Sequence, residues 1–265
     1  MPPNCEADVR RLALRIGYDG TDFAGSQSQP TQRTVQDTVE AAVAEFTGER
    51  RRLAFAGRTD AGVHAMGQVV ALDTASTHDL ATWRDALNHF LPEDVVVSAV
   101  TAVGDRFDPR RDATSRRYRY RIEDAHGRWP LTRRSAWQRA HPLDVPAMAE
   151  AAAMLPRMAR DWSAFSGPVP EGYSTVRALM CCLVRRDGEA INVEMEAGGF
   201  LPHQVRRTVG ALERVGRGRM SPQGLVALVD GPPASAGPTA PSQGLTLVAV
   251  RYAPGTVEWG TGTER

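Results

Sequence analysis

The sequence predicts an α+β protein built of two halves, each running strand, helix, strand, strand, helix, strand. Three observations predict it. Segments with apolar residues at alternate positions are separated by segments with apolar residues three and four apart. The resulting β-α-β-β-α-β order occurs twice in the chain. The joints carry turn residues, among them Asp187-Gly188 between two strand-like runs. This is the order of the ferredoxin-like split unit. Two such halves, residues 1–108 and 109–265, are expected to flank a central active-site cleft with their antiparallel sheets.

In the first half, "RLALRIGYD" alternates Leu12, Leu14, Ile16 and Tyr18 with polar or small residues, the pattern of a half-buried strand. "DGTDFAG" is turn material. "TVQDTVEAAVAEFTG" then puts Val35, Val39, Ala42, Val43 and Phe46 on one helical face, with Thr34 to cap the start and Gly48 to close the end. "LAFA" (53–56) and "GQVVALD" (67–73) read as strands. "LATWRDALNHFL" carries a helical stripe of Trp83, Leu87, Phe90 and Leu91, and "DVVVSAVTAV" (94–103) is a β-branched strand. In the second half, "SRRYRYRI" (115–122) is a strand and "VPAMAEAAAMLPRM" a helix. "VRALMCCLVRR" (176–186) and "EAINVEMEA" (189–197) form a hairpin. A helix is expected over about 202–215 and a short one near "SPQGLVALVD". A Pro/Gly-rich insertion and the strand "LTLVAVRY" follow, and the terminal "PGTVEWGTGTER" is expected to be loose.

Composition narrows the functional classes. The 265 residues are 42% hydrophobic and 24% charged, ordinary for a globular protein, with no apolar run long enough to span a membrane. The first residues lack the apolar segment of a signal peptide. Three cysteines (Cys5, Cys181, Cys182) lack zinc-site spacing and suit a reducing compartment, so a cytoplasmic protein is expected. Net charge is +1, and all 32 basic residues are arginine. Without lysine there is no Schiff-base chemistry and no phosphate-loop lysine. The arginines cluster: eleven fall between Arg106 and Arg139 against four acids, and Arg206, Arg207, Arg214, Arg217 and Arg219 face only Glu213. Guanidinium groups suit phosphates and stacking on bases, which makes an anionic polymer a candidate partner.

The candidate chemistry centres on "AFAGRTDAGVHAMGQVV" (54–70). Asp60 lies in a loop between two strands, beside Gly57, Ala61 and Gly62, whose small size lets a ligand or another backbone come close. A carboxylate is ionised at neutral pH and can act as base or nucleophile. A second carboxylate as proton donor, expected of a glycosidase, is missing nearby. The sequence has neither the zinc-deaminase pattern nor a serine nucleophile elbow.

"AGRTDAGVHAMGQVV" closely resembles the signature of the tRNA pseudouridine synthase A family, and the resemblance covers most of the chain. "YDGTDFAG" with "TVQDTVEAAV" resembles the family's opening strand, turn and helix. "FDPRRDATSRRYRYRI" resembles its basic central strand, "DWSAFS" a loop that follows it, "GGFLPHQVRRTVGAL" the helix that supplies its arginine, and "GLTLVAVRY" its last strand. The resemblance implies isomerisation of uridine to pseudouridine in the anticodon stem-loop of tRNA, at positions 38–40, by a homodimer needing neither cofactor nor metal. Asp60 falls on the family's nucleophile, adding to either the uracil ring or the sugar. Tyr118 falls on the tyrosine that lies against the target base. Arg206 falls on the arginine that pairs with the aspartate, holding it ionised and oriented. Arg58 falls on the residue that helps hold the target nucleotide out of its stack. Leu245 and Phe200, with Tyr118, are further expected contacts to the substrate.

The chain departs from the family pattern at Ser26, where tryptophan is usual, at Gln204, two residues before the arginine, where methionine is usual, and at Thr246, which replaces an aromatic. Two alternatives stand beside the enzyme reading. One is an RNA-binding protein of the same fold without catalysis, and the other a nucleoside hydrolase using one carboxylate.

Overall fold

The computed structural model describes residues 9–124 and 128–260. Cys5 lies outside them. Two compact units result, residues 9–114 with 250–260, and residues 115–249.

In the first unit the order is β1 (Arg10–Tyr18), α1 (Val35–Thr47), β2 (Ala54–Phe55), β3 (His64–Thr74), α2 (Leu80–Phe90) and β4 (Val95–Val103). β1 is flanked by β3 and β4 and antiparallel to both, with Leu14 opposite Val70 on one side and Val100 on the other. β2 pairs with β3, Ala54 opposite Ala71. The resulting order β4-β1-β3-β2 is that of the split β-α-β unit. Thr34 caps α1 by accepting the Asp37 N–H, and Gly48 closes it in the left-handed conformation at φ 72°. Phe46 of α1 meets Trp83 of α2 edge to face, ring centroids 5.2 Å apart.

Two expectations need correcting here. β1 is not half-buried: Ala13 and Gly17, which alternate with its leucines, are covered as well. Arg15, on the same face as Ala13, lies over the Trp259 ring at 5.5 Å. The segment expected to be loose is thus anchored at Trp259, and residues 261–265 lie outside the described part.

The second unit contains β5 (Ala113–Glu123, entering from the first unit), β6 (Trp137–Gln138), α3 (Val145–Met154), β7 (Arg160–Asp161) and β8 (Val176–Arg177). β9 (Leu179–Asp187), β10 (Ala190–Ala197), α4 (Gln204–Gly216), α5 (Pro222–Ala227) and β11 (Leu245–Tyr252, its last three residues belonging to the first unit) follow. Its strand order, β11-β5-β10-β9, repeats that of the first unit. β9 and β10 form the expected hairpin, Asp187 opposite Ala190, with Gly188 at φ 56° in the turn. α3 ends at Met154, two residues before Pro156, which would clash with a continued helix. β6 runs parallel to β5, and β7 pairs with β8 in a separate two-residue ribbon. Tyr120, Ile122, Met148, Trp162, Phe165, Val193, Met195, Val209 and Leu212 fill the core.

Candidate active site

Arg58 and Asp60 lie in the first unit, on the loop joining β2 to β3. Arg58 is exposed and Asp60 half-buried. The turn closes on itself through the Val63 N–H, which donates to the Asp60 carbonyl at 3.2 Å. The residue between them, Thr59, is buried and held from three directions. Its N–H donates to Ser26 Oγ at 2.8 Å, its carbonyl accepts the Ser26 N–H at 3.1 Å, and its hydroxyl lies 2.8 Å from Tyr18 Oη. Gln68 Nε2 donates to the Gly57 carbonyl at 2.7 Å. Burial pushes the Tyr18 phenol up to about 12, against hydrogen bonding to Thr59 and Gln68. Tyr18 is therefore a neutral phenol across the physiological range.

The segment 18–26 makes this grip possible by coming unusually close. A Cβ on Gly20 would sit 2.0 Å from the Val63 carbonyl oxygen. One on Gly25 would sit 2.9 Å from the Thr59 carbonyl oxygen, and Gly25 also holds φ 111°, a conformation side chains rarely adopt. The Gly20 N–H donates to His64 Nδ1 at 3.1 Å, tying the turn to the start of β3. Sequence reasoning alone does not place these clamp residues in the candidate site. The signal available is the second glycine-bearing turn, "DGTDFAG", since two close-packed turns each need small residues.

Tyr118, Phe200, Arg206 and Leu245 lie in the second unit. The structure brings Tyr118 and Phe200 together edge to face, centroids 5.4 Å apart at 84°, a favoured aromatic geometry. Tyr118 lies opposite Met195 in the β5–β10 ladder, and Phe200 follows β10 and precedes α4. Leu245 is buried at the start of β11.

Arg206 lies in the first turn of α4. Its Nε donates to the Ala240 carbonyl at 2.8 Å, and the Ala240 N–H returns to the Arg206 carbonyl at 3.1 Å. Tyr120 Oη donates to the neighbouring Pro241 carbonyl at 2.8 Å. The Tyr120 phenol is pushed far up by burial, with the Arg206 charge opposing. Gly244 lies so close beneath Tyr120 that a Cβ would sit 2.6 Å from its ring. The loop 240–244 that leads into Leu245 is thereby fixed to α4 and β5.

The helix itself begins under constraint. His203, its N-cap, holds φ 61°, which costs a side-chain-bearing residue about 1–2 kcal/mol. Gln204 Oε1 accepts the Leu201 N–H at 2.8 Å, bracing that turn. The Gly167 N–H donates to the Pro202 carbonyl at 2.7 Å, and a Cβ on Gly167 would press on the His203 ring at 2.9 Å. Two of the three departures from the family pattern, Ser26 and Gln204, are thus occupied in holding backbone beside candidate site residues.

No group of three or more histidine, cysteine, aspartate or glutamate side chains is placed to hold a metal ion among the described residues. Burial pushes the Cys182 thiol up to about 12 and raises Cys181 as well, so neither is a thiolate nucleophile at neutral pH.

A family model described as tRNA pseudouridine synthase matches residues 16–110 and 159–253. The tRNA pseudouridine synthase A of Chloroflexus aurantiacus is 43% identical over 263 residues, covering 97% of this chain and 94% of the relative. That of Roseiflexus castenholzii is 44% identical (92% and 91% covered), and that of Geotalea uraniireducens 40% identical (92% and 100%). Among solved structures, a chain of a Cbf5-Nop10-Gar1 complex superposes with a TM-score of only 0.31 at 12% identity, over 79% of this chain and 56% of that one, too distant to bear on the site. With the repeated split β-α-β order and the long matches at both ends, the chain belongs to the tRNA pseudouridine synthase family, a family of isomerases.

Proposed function

We propose that the protein converts uridine to pseudouridine in the anticodon stem-loop of tRNA, at positions 38–40, with Asp60 as the catalytic carboxylate. The reaction is an isomerisation. The bond from C1′ of the ribose to N1 of uracil breaks, a bond from C1′ to C5 forms, the proton on C5 leaves and N1 gains one. No electrons are exchanged with an external partner, and the reading requires neither cofactor nor metal. The carboxylate of Asp60 holds the detached fragment, through the ring or through the sugar, until the base has turned. A carboxylate that must trap a fragment within one site needs a fixed backbone. The observation that carries the reading is the clamp on Thr59, which fixes the backbone next to Asp60 from three directions.

In the same reading Tyr118, with Phe200 at its edge, lies against the extruded base, and Leu245 adds apolar contact. Arg206 orients the Asp60 carboxylate. Arg58, exposed beside Asp60, holds the target nucleotide out of its stack, offsetting an extrusion cost of roughly a few kcal/mol. The protein acts as a cytoplasmic homodimer with tRNA running across both subunits, which sedimentation of the purified protein tests.

The deciding experiment uses unmodified tRNA carrying tritium at C5 of uracil. Release of tritium without free uracil is expected for the wild type, and Asp60→Ala should abolish it while tRNA affinity stays within a few-fold. Free uracil would instead indicate a hydrolase, and tRNA binding with no release a non-catalytic binder. Normal turnover in Asp60→Ala would remove this carboxylate from the mechanism.

A further inference from the structure

A cavity of about 350 Å³ opens in the second unit between β6, α4 and the loop before β11. Its lining is unusual in charge. Arg139, Arg214, Arg217 and Arg219 contribute four guanidinium groups, Glu213 the single carboxylate, and Trp137 an aromatic wall. Glu213 is almost fully buried, with its Oε1 2.7 Å from Arg139 Nη2 and 3.8 Å from Arg217 Nη1. The one acid is therefore committed to two arginines, and the lining retains an excess of three positive charges. Arg139 is fixed further by lying over the Trp137 ring at 4.9 Å, and Trp137 by meeting Tyr120 edge to face.

The cavity is built rather than incidental. At Gly210 the loop passes so close to α4 that a Cβ would sit 2.3 Å from the Pro238 carbonyl oxygen. Ala240, another lining residue, is the one whose carbonyl accepts the Arg206 Nε hydrogen bond. Gly210 and Arg214 follow Arg206 by one and two turns of the same helix, about 6 and 12 Å along its axis. An arginine-lined cavity of this size, with excess charge and a planar apolar wall, matches a phosphate group attached to a nucleoside.

We propose that this cavity is a phosphate-binding site and that its occupant is a phosphodiester of the RNA strand near the target uridine. The proposal rests on the reading of the protein as a tRNA-modifying enzyme. It assigns Arg139, Arg214, Arg217 and Arg219 a task separate from the chemistry at Asp60: they set where the strand lies and add affinity.

The test uses the full chain, an unmodified tRNA transcript and the double variant Arg214→Gln/Arg219→Gln, which leaves the Glu213 pairs intact. Each phosphate that is no longer neutralised lowers the slope of log K against log salt by about 0.7–0.9. The variant should therefore show a slope smaller by about one to two and tRNA affinity weakened roughly tenfold near 0.1 M salt. In parallel, equilibrium dialysis with radiolabelled inorganic phosphate and with uridine monophosphate separates the two sources of the same chemistry. An unchanged tRNA slope with phosphate uptake abolished in the variant would overturn the RNA assignment in favour of a free phosphate. An unchanged slope with no phosphate uptake by either protein would overturn the site altogether. Absence of tritium release from the wild type is a separate result: it would sink the proposed isomerase reading and leave the binding slopes to be judged on their own.

Discussion

Gly20→Ala tests whether the backbone clamp governs catalysis. The added Cβ would lie 2.0 Å from the Val63 carbonyl oxygen and 2.5 Å from its carbon, both backbone atoms that no rotamer change can move. Cβ contacts below 3.0 Å are essentially never tolerated, so the two segments must separate by about an ångström. Overpacking of this kind costs about 1–3 kcal/mol. Val63 donates its N–H to the Asp60 carbonyl, so the displacement passes directly to the turn that carries the carboxylate. A misplacement of about 1 Å can lower a rate by about a hundredfold. Gly48→Ala provides the matched control. Gly48 also resists a side chain, at φ 72°, yet a Cβ there meets open space, so only the left-handed conformation is penalised, by about 1–2 kcal/mol. Urea unfolding and single-turnover tritium release should therefore separate the two variants: similar losses of stability, a large loss of rate for Gly20→Ala and little for Gly48→Ala. Wild-type turnover in folded Gly20→Ala, or equal rate losses in both, would refute the clamp as a catalytic device.

Three further outcomes follow from buried groups. Ser26→Ala should lower kcat with little change in tRNA affinity and cost about 1–3 kcal/mol, because the Thr59 N–H would lose its buried acceptor; denaturation and filter binding read both effects. The raised phenol of Tyr18 gives stability that is full below its unfolded value near 10 and lost as the pH climbs towards about 12. Tyr18→Phe should flatten the stability profile over that window in alkaline urea titrations. Asp124 is the opposite case: its bidentate pair with Arg186, at 2.7 and 2.8 Å, holds the carboxyl below the usual range against the effect of burial. Its stabilisation is present above about pH 4 and lost as the pH falls through the depressed value, so Asp124→Asn should reduce the acid sensitivity of unfolding and cost about 1–2 kcal/mol at pH 7.

Much of the fold was legible because it is written locally. The cap and stop of α1 rest on Thr34 and Gly48, and β11 spans Leu245–Tyr252, the whole of the expected strand "LTLVAVRY". β3 begins at His64, three residues before the predicted strand, because pairing with β1 continues past a bulge to Tyr18 opposite Ala65. β6 and β7 are two-residue elements whose partners lie elsewhere in the chain, so no period exists to read, and the strand expected over 176–186 is divided, its first two residues forming β8, which pairs with β7, and the rest β9. Charge shows the same limit. Counting acids near Arg106–Arg139 misses that Arg119 pairs with Glu194 and Arg139 with Glu213, both far along the sequence. The arginine-rich stretch is therefore less uniformly positive than its composition, and where charge remains in excess is decided by tertiary packing.

Tertiary packing also changes the meaning of two of the three residues that depart from the family pattern. Ser26 stands in place of a tryptophan, and Gln204 in place of a methionine. In the fold each exchanges apolar bulk for a directed hydrogen bond to backbone, Ser26 to Thr59 and Gln204 to Leu201. A large apolar side chain excludes water and fills volume but leaves the neighbouring N–H to find its own acceptor. A buried hydroxyl or amide oxygen supplies that acceptor and fixes a direction, at the expense of ordering one small side chain. Asp60 and Arg206 each lie within two residues of such a bond's partner or owner, Thr59 and Gln204. The departures therefore argue for retained backbone precision at the candidate site, and against a fold that has kept RNA binding while losing catalysis. A Ser26→Trp variant that folds yet turns over faster than the wild type would reverse that argument.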